Sequence, residues 1–474
     1  MDLSGLSAIE TARLVRAREV SAREVAESAL ARAEALGPAV GAFTALAPEY
    51  ALRQADAIDA ALARSDAPAE ADAPLLGVPC PVKDLEPVAG VRYTQGSAVF
   101  ADRVAEEDSD LPKRLRAAGT LMIGKTNTPE FGLPCYTEPD AAVAPPAVTP
   151  WDKTRMAGGS SGGAAAAVAA GITPIAHGSD GGGSIRIPAS ACGLVGLKAS
   201  RGRVPEWGDV PGPGFATDGM LTRTVRDAAL ALDVLASRAL PPSAVGQTYH
   251  CPPPDTSFLA ACDTELKGLR VGVLTTPVIA EAEVHPACLD AVAKTAAALE
   301  ALGHHVEPAP APFTPEKWSA FAALWAVGAL AIDLTAGQEE RVRPLTRWLR
   351  EAGRKYSGIE LAQAWFCAQM LGKQVEAAWQ GYDLILTPTL AQPPAKLGAL
   401  RDDADPAADF AAQTRFTPWT SIYNVSGLPA VSLPLHTAVI DAVELPIGVM
   451  LGARFGQEAT LLAAAAALMA QAAR

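Results

Sequence analysis

Between Gly158 and Gly171 the chain reads GGSSGGAAAAVAAG, and four residues later it reads AHGSDGGGSIRIPAS, ending at Ser190. Few chains can accommodate such a run except where backbones must come very close together. Glycine has no Cβ, so its amides can approach a ligand and adopt positive φ. Two serines, Ser160 and Ser184, sit among these glycines. A serine so placed can attack a carbonyl while neighbouring N–H groups receive the developing oxyanion. Upstream, VKDLEP offers Lys83 after the apolar segment Pro79 to Val82. A desolvated lysine can lose its proton near neutral pH. Two serines and a lysine supply acyl-transfer chemistry without histidine.

The rest of the chain bounds this reading. Its 474 residues are 49% hydrophobic and 19% charged, which allows a large core in one α/β unit. The formal net charge of -13 argues against non-specific nucleic-acid binding but leaves a small-molecule substrate open. Seven scattered cysteines, without any CxxC, read as buried thiols in a reduced compartment rather than as disulfides or a zinc site. The N-terminus is charged throughout, and the longest apolar tract, Leu461 to Ala470, is too short to span a bilayer. A cytoplasmic protein with no membrane association, no metal and no cofactor is expected.

Apolar residues recur at helical spacing from about Ser7 to Arg64, and Ser21 with Glu24 forms a capping-box pattern. Strand character appears in LLGVPCPVKD and TLMIGKT, with a helix at Asp108 to Ala118 between them. A small-residue helix follows GGSSGG. LPPSAVGQTYHCPPPD, residues 240–255, reads as a surface loop. GLRVGVLTTP reads as a strand, Pro286 to Leu302 as a helix closed by Gly303, and Glu316 to Trp379 as a variable helical region. Late strands are expected at YDLILTPT, PAVSLPL and PIGVMLGA. This order predicts a single α/β domain over 1–474. N-terminal helices occupy 1–70, a catalytic core 75–205, and a loop and helical substrate region 240–380. A central mixed, largely parallel sheet would be covered by helices on both faces.

Two other chemistries are weighed. Gly119 and Gly124-Lys125-Thr126 match a phosphate-binding loop formally. The four residues between the glycines read as a buried strand, however, and Pro129 stands where a helix should open, so Lys125 reads as a solvated or ion-paired lysine. A Ser-His-Asp arrangement would need one of six histidines. His177, seven residues before Ser184, is nearest in sequence, but no GxSxG elbow surrounds either serine, and His177 reads as structural.

The composite of VPCPVKD, GKTNTPEFG, GGSSGG, GSDGGGSIRIPAS, GLVGLKASRGRVP, YDLILTPT and SGLPAVSLPL resembles the amidase signature family. The likeness runs over about Thr11 to Ala465 and includes the 24-residue spacing of the two serines. The resemblance implies an amidase fold and hydrolysis of a carboxylic amide C–N bond. It implies Ser184 as acyl nucleophile, Ser160 as bridging serine after a cis peptide bond from Gly159, and Lys83 as terminal base. Gly181, Gly182, Gly183 and Ser184 would supply oxyanion amides. Asp180 and Arg186, flanking that loop, read as a buried brace.

Substrate contacts are expected around Cys135 and Tyr136, in the stretch Phe321 to Asp333, and near Thr417 to Tyr423. Phe321, Trp325, Trp419 and Tyr423 are candidates for an apolar acyl pocket. The stretch TEPDAAVAPPAVTPWD and the GLKAS run depart from the family pattern near the site. Ile187 after Arg186 and GLKASRGRVPEWG differ from the branch that amidates misacylated tRNA. The chain looks nearer to the bacterial small-amide and cyclic-oligomer amidases, and because dimerisation is common in the family as a whole, the resemblance allows a homodimer. The alternatives are a glutaminase-type subunit of a tRNA-dependent amidotransferase and a non-catalytic binding protein on the same fold.

Overall fold

Residues 3–64, 66–205, 214–237 and 249–473 are described by a computed structural model. Three short strands, β1 (Phe43–Leu46), β2 (Val82–Lys83) and β3 (Gly124–Thr126), form one small sheet in the order β1-β3-β2. The large sheet contains β4 (Ile175–Asp180), β5 (Val195–Lys198), β6 (Thr217–Thr222), β7 (Arg270–Val273), β8 (His305–Pro308), β9 (Leu384–Pro388), β10 (Ala430–Ile440) and β11 (Val443–Ala453). Its order is β4-β6-β5-β10-β11-β9-β7-β8.

The sheet is mixed, as expected, but its weighting is the reverse of the sequence reading. Only β7 pairs in parallel, with β8 and with β9. The other neighbouring pairs are antiparallel. The physical reason is the hairpin at the sheet's centre. β10 and β11 are joined by Asp441 and Ala442, both at positive φ (51° and 65°). A two-residue turn of that kind matches the right-handed twist of the flanking strands. Asp-Ala is not the usual Asn-Gly or Asp-Gly signal, so the sequence pattern did not disclose it.

Helices cover both faces, and strand alternation explains how. Leu384 and Leu386 of β9, with Val449 and Leu451 of β11, join a core that includes the helices Val225–Ala236, Pro286–Ala301 and Glu458–Ala472. Ile385 and Met450, the intervening residues, face the opposite core with Trp379, Ile422 and Tyr423. This is the two-residue period of a strand buried on both sides. The helix Gly162–Ala169 holds only glycine, alanine and one valine; Gly162 to Val168 are all buried, and Ala164 to Val168 lie in a further core with Ile185 and Leu221. A Cβ on Gly163 would stand 2.3 Å from the Asn127 amide nitrogen. Small residues are therefore required for this helix to lie against β1 and β3.

Other elements fall close to expectation. The Ser21–Glu24 capping box opens the helix Ala22–Val40. Gly303 (φ +90°) follows the helix Pro286–Ala301. Of the expected surface loop, residues 240–248 lie outside the described residues, and 252–257 are exposed. Lys125 lies in β3, fully buried, its Nζ 2.9 Å from Asp84 Oδ1. That ion pair leaves no phosphate cradle at the Gly119–Thr126 match.

The helix Thr420–Ser426 is buried along its whole length, and β11 packs behind it. Its Tyr423 ring lies flat on Gly452, where an added Cβ would come 2.1 Å from Tyr423 Cε1. Overpacking at such a site costs about 1–3 kcal/mol or more. Gly452→Ala should lower the unfolding free energy measured in urea by at least that amount, whereas Gly337→Ala, an exposed control with nothing within 4 Å, should not lower it.

Candidate active site

The small sheet, the glycine run and the edge strand β4 converge on Lys83. Its backbone N–H donates to His177 Nδ1 at 3.3 Å, and His177 Nε2 lies 3.1 Å from Asp218 Oδ1. His177 therefore sits behind the Lys83 main chain, with both ring nitrogens engaged. The Lys83 side chain is fully buried. Its Nζ donates to Ser160 Oγ at 2.8 Å, to Ser179 Oγ at 3.0 Å and to the Ser179 carbonyl at 3.4 Å. Ser179 was not singled out by sequence reasoning. Its signal was its place on a strand that runs directly into the GGGS loop.

Ser160 follows a cis peptide bond from Gly159. Gly159 lies against the Cys135–Tyr136 backbone, where a Cβ would stand 2.8 Å from three main-chain atoms. Ser161 N–H donates to the Ser184 carbonyl at 3.1 Å, tying the two serine segments together. Ser161 Oγ is occupied by the Ser179 main chain. Among the described residues no hydrogen bond joins the Ser160 and Ser184 hydroxyls. The Lys83–Ser160 contact is formed.

Burial pushes the Lys83 amine down to about 7, outweighing the pull of Asp180, Asp218 and Glu86 in the other direction. None of those carboxylates forms an ion pair with it. Asp180 behaves oppositely. Burial would raise its carboxyl, but the Arg186 guanidinium, with help from Asn424 and Lys198, holds it well below the usual carboxylate range. Arg186 meets Asp180 through two nitrogens, each at 2.9 Å, and both side chains are fully buried. Asn424 Nδ2 donates to Asp180 Oδ1 at 2.9 Å, and Arg186 Nη1 donates to the Thr420 carbonyl at 2.8 Å. The brace read from the sequence is thus a network clamping β4 to the helix Thr420–Ser426.

That network reaches the amides expected to receive an oxyanion. Gly183 N–H donates to Asp180 Oδ1 at 2.7 Å, so it is already committed. Ile185 N–H donates to the other carboxylate oxygen at 3.2 Å. The amides of Gly181, Gly182 and Ser184 have no acceptor among the described residues. The Gly182 carbonyl, turned the other way, accepts from Thr420 Oγ1 at 2.8 Å and Ser421 Oγ at 2.9 Å. Anchoring that carbonyl orients the adjoining peptide planes, which is how a loop becomes a nest of donors.

Ser184 opens onto a narrow cleft of about 60 Å³. Cys135, Phe321 and Trp325 line it, as expected, together with Ile279, Trp318 and Gln413, which sequence reasoning missed. Trp318, Phe321 and Trp325 form a stacked series with ring centroids 4.7 and 5.3 Å apart. The spacing of these three in one helical turn after another was visible, but not which side of the helix faced Ser184. Three expected residues are elsewhere. Tyr136 is buried beside the cleft, and its hydroxyl donates to Asp409 at 2.7 Å. Trp419 is fully buried with Nε1 on the Thr276 carbonyl, because the turn into its helix points the indole into the core. Tyr423 projects from the far side of the same helix into a different cavity.

Comparison with known proteins agrees with this geometry. The amidase family model matches residues 24–462. The chain is 33% identical over 486 residues to 6-aminohexanoate-cyclic-dimer hydrolase of Paenarthrobacter ureafaciens, covering 96% of this chain and 93% of that protein. It is 34% identical over 475 residues to an acylamidase of Rhodococcus erythropolis, covering 98% and 95%. A solved 6-aminohexanoate cyclic dimer hydrolase complexed with substrate superposes with a TM-score of 0.89 at 31% identity, covering 100% of this chain and 99% of that one. The chain belongs to the amidase family and is an amidohydrolase.

Two outcomes follow from the electrostatics. The base form of Lys83 is the neutral amine, so kcat/KM should rise with pH through an acid limb near 7. Burial lowers this lysine in the folded state, so the unfolded chain binds more protons between about 7 and the ordinary lysine value of 10.5. Stability contributed at this position therefore increases across that window and is smallest below it. Asp180→Asn leaves the Arg186 charge buried without its partner. Urea unfolding should show a loss of about 3–5 kcal/mol.

Proposed function

We propose that Ser184 is the acyl nucleophile, Ser160 the bridging proton carrier and Lys83 the base of an amidase acting on small amides. The single observation that carries this reading is the 2.8 Å bond from a buried, carboxylate-free lysine amine to Ser160 Oγ. In the free enzyme the neutral amine accepts the Ser160 proton as Ser160 accepts that of Ser184. The Ser184 oxygen bonds to the amide carbon, and the carbonyl oxygen becomes an oxyanion facing the amides of Gly181, Gly182 and Ser184. Each such donor is typically worth about 100- to 1000-fold in rate. The proton then returns along Ser160 to the amide nitrogen, the C–N bond breaks and the amine leaves. Water, deprotonated by the same route, cleaves the acyl ester and restores Ser184.

The stack of Trp318, Phe321 and Trp325 supports a flat or apolar group beside the scissile bond, since it brings aromatic ring atoms within reach of Gly181 and Gly182. Trp325 and Phe321 atoms would lie 3.6 and 3.7 Å from a Cβ built on those two glycines. We place the N-terminal helices as scaffold, residues 75–205 as the chemical core and the helices between 319 and 379 as the substrate wall of one functional unit. We place it in the cytoplasm, a reading supported by seven cysteines that are all free thiols. Among the described residues no helix is long and apolar enough to cross a membrane. The glutaminase-subunit and non-catalytic readings are set aside, because the relatives matched at 33% and 34% identity are named a cyclic-dimer hydrolase and an acylamidase, and Lys83, Ser160 and Ser184 are all present.

The test combines a panel of primary amides, anilides and cyclic amides with active-site labelling. Ser184→Ala should abolish turnover, and Ser160→Ala should reduce kcat by about 100-fold or more. A fluorophosphonate should add to Ser184 alone by peptide mapping. Near-normal turnover in Ser184→Ala, or labelling mapped to another residue, contradicts the assignment.

A further inference from the structure

A cavity of about 390 Å³ lies behind the helix Thr420–Ser426, between β9, β11 and the end of the helix Gly358–Trp379. It is within the size range of small-molecule sites, much roomier than the Ser184 cleft, and shares no lining residue with it. Its walls are largely aromatic and aliphatic. Trp379 Nε1 and the Tyr382 hydroxyl donate outside the cavity, to the carbonyls of Pro310 and Pro308. These two residues therefore present ring faces rather than polar tips. Phe455, 39% exposed, stands at the mouth.

The polar groups of this cavity are unevenly satisfied. Asp383 is engaged by Arg454 Nη2 at 2.6 Å and by the Arg270 amide at 2.9 Å. Glu376 forms no hydrogen bond or ion pair among the described residues. Tyr423, 1% exposed, carries a hydroxyl with no partner, positioned over the Gly452 backbone that also lines the cavity. A buried hydroxyl without a partner costs about 1–3 kcal/mol. What remains without a protein partner is the exposed Glu376 carboxylate at the rim and the buried Tyr423 hydroxyl, beside aromatic faces. That set suits a cation with N–H donors on an apolar body, and Glu376, left unpaired while Arg454 matches Asp383, disfavours an anion.

We propose that this cavity is a second small-molecule site that takes a hydrophobic primary amine, and that its occupancy is felt at the Ser184 loop. The route is short. The Arg186 guanidinium lies 5.7 Å from the Tyr423 ring centroid. Arg186 holds Asp180, and Asp180 holds the Gly183 amide. The helix that carries Tyr423 also carries Thr420 and Ser421, which anchor the Gly182 carbonyl. A ligand that shifts Tyr423 shifts a residue one contact away from the brace of the oxyanion loop.

The test titrates the full-length enzyme with hexylamine, and separately with hexanoate, by calorimetry, and then assays the best substrate of the amide panel at saturation with and without hexylamine. Expected are one hexylamine bound, no hexanoate bound, at least fivefold weaker binding in Glu376→Gln and Tyr423→Phe, and a changed kcat that Glu376→Gln abolishes. Tyr423→Phe should melt no lower than wild type, because it removes an unpaired hydroxyl. If Tyr423→Phe does not fold, Glu376→Gln, at an exposed position, decides the matter alone. Equal binding in the variants, hexanoate binding as tightly as hexylamine, or purely competitive inhibition overturns the site. Binding with an unaltered kcat overturns the coupling.

Discussion

The proposed chemistry depends on a lysine amine held in a dry interior without a counter-ion. Lys83 and Lys125 make the point by contrast. They lie on adjacent strands, with Val82 opposite Lys125 and Lys83 opposite Thr126, and both are fully buried. Lys125 has the Asp84 carboxylate at 2.9 Å and the Glu86 carbonyl at 2.6 Å. Lys83 has two serine hydroxyls and one carbonyl. A carboxylate within contact favours the ammonium form, whereas neutral dipoles leave the desolvation penalty largely uncompensated. Burial lowers both amines, but the same residue type is ion-paired to a carboxylate at one position and, as the proposed base, has no carboxylate partner on the next strand. The difference lies in which side chain the fold sends to meet each one.

The rest of the architecture holds that amine and its two serines in place. The Asp180–Arg186–Asn424 network fixes the loop from one side, and the Gly182 carbonyl is pinned from the other by Thr420 and Ser421. The network is fully buried and its members satisfy one another, the condition under which buried charge gives a rigid, specific arrangement rather than a liability. The fully buried helix Thr420–Ser426 is therefore a beam with the reactive loop on one side and the Tyr423 cavity on the other.

Much of this was legible in the sequence for a physical reason. Glycines cluster where backbones touch, so GGSSGG and GSDGGGS marked the site before any coordinate was known, and Lys83 stood out as a lysine after an apolar run. Asp180 and Arg186, charged residues inside a small-residue loop, announced a mutual pair. What escaped depended on direction. The β10–β11 hairpin hides behind an atypical Asp-Ala turn, and it turns a supposedly parallel sheet into a largely antiparallel one. Phe321 and Trp325 line the cleft while Trp419 and Tyr423 do not, because a helix's facing is set by its packing and not by its composition. Gly183 looks like any oxyanion glycine in sequence, yet only the fold shows Asp180 claiming its amide. Ser179 was overlooked because serines are common, and its value comes from where β4 points it.

The most direct measurement is of the amine itself. Lysines labelled with carbon-13 at Cε report their own protonation by NMR, and the Lys83 resonance is identified by its absence from Lys83→Met. Lys198, another buried lysine pushed to about 7 by burial and by Arg186, is assigned the same way. The Lys83 signal should titrate with a midpoint near 7. A signal that remains that of an ammonium beyond pH 9 would contradict it.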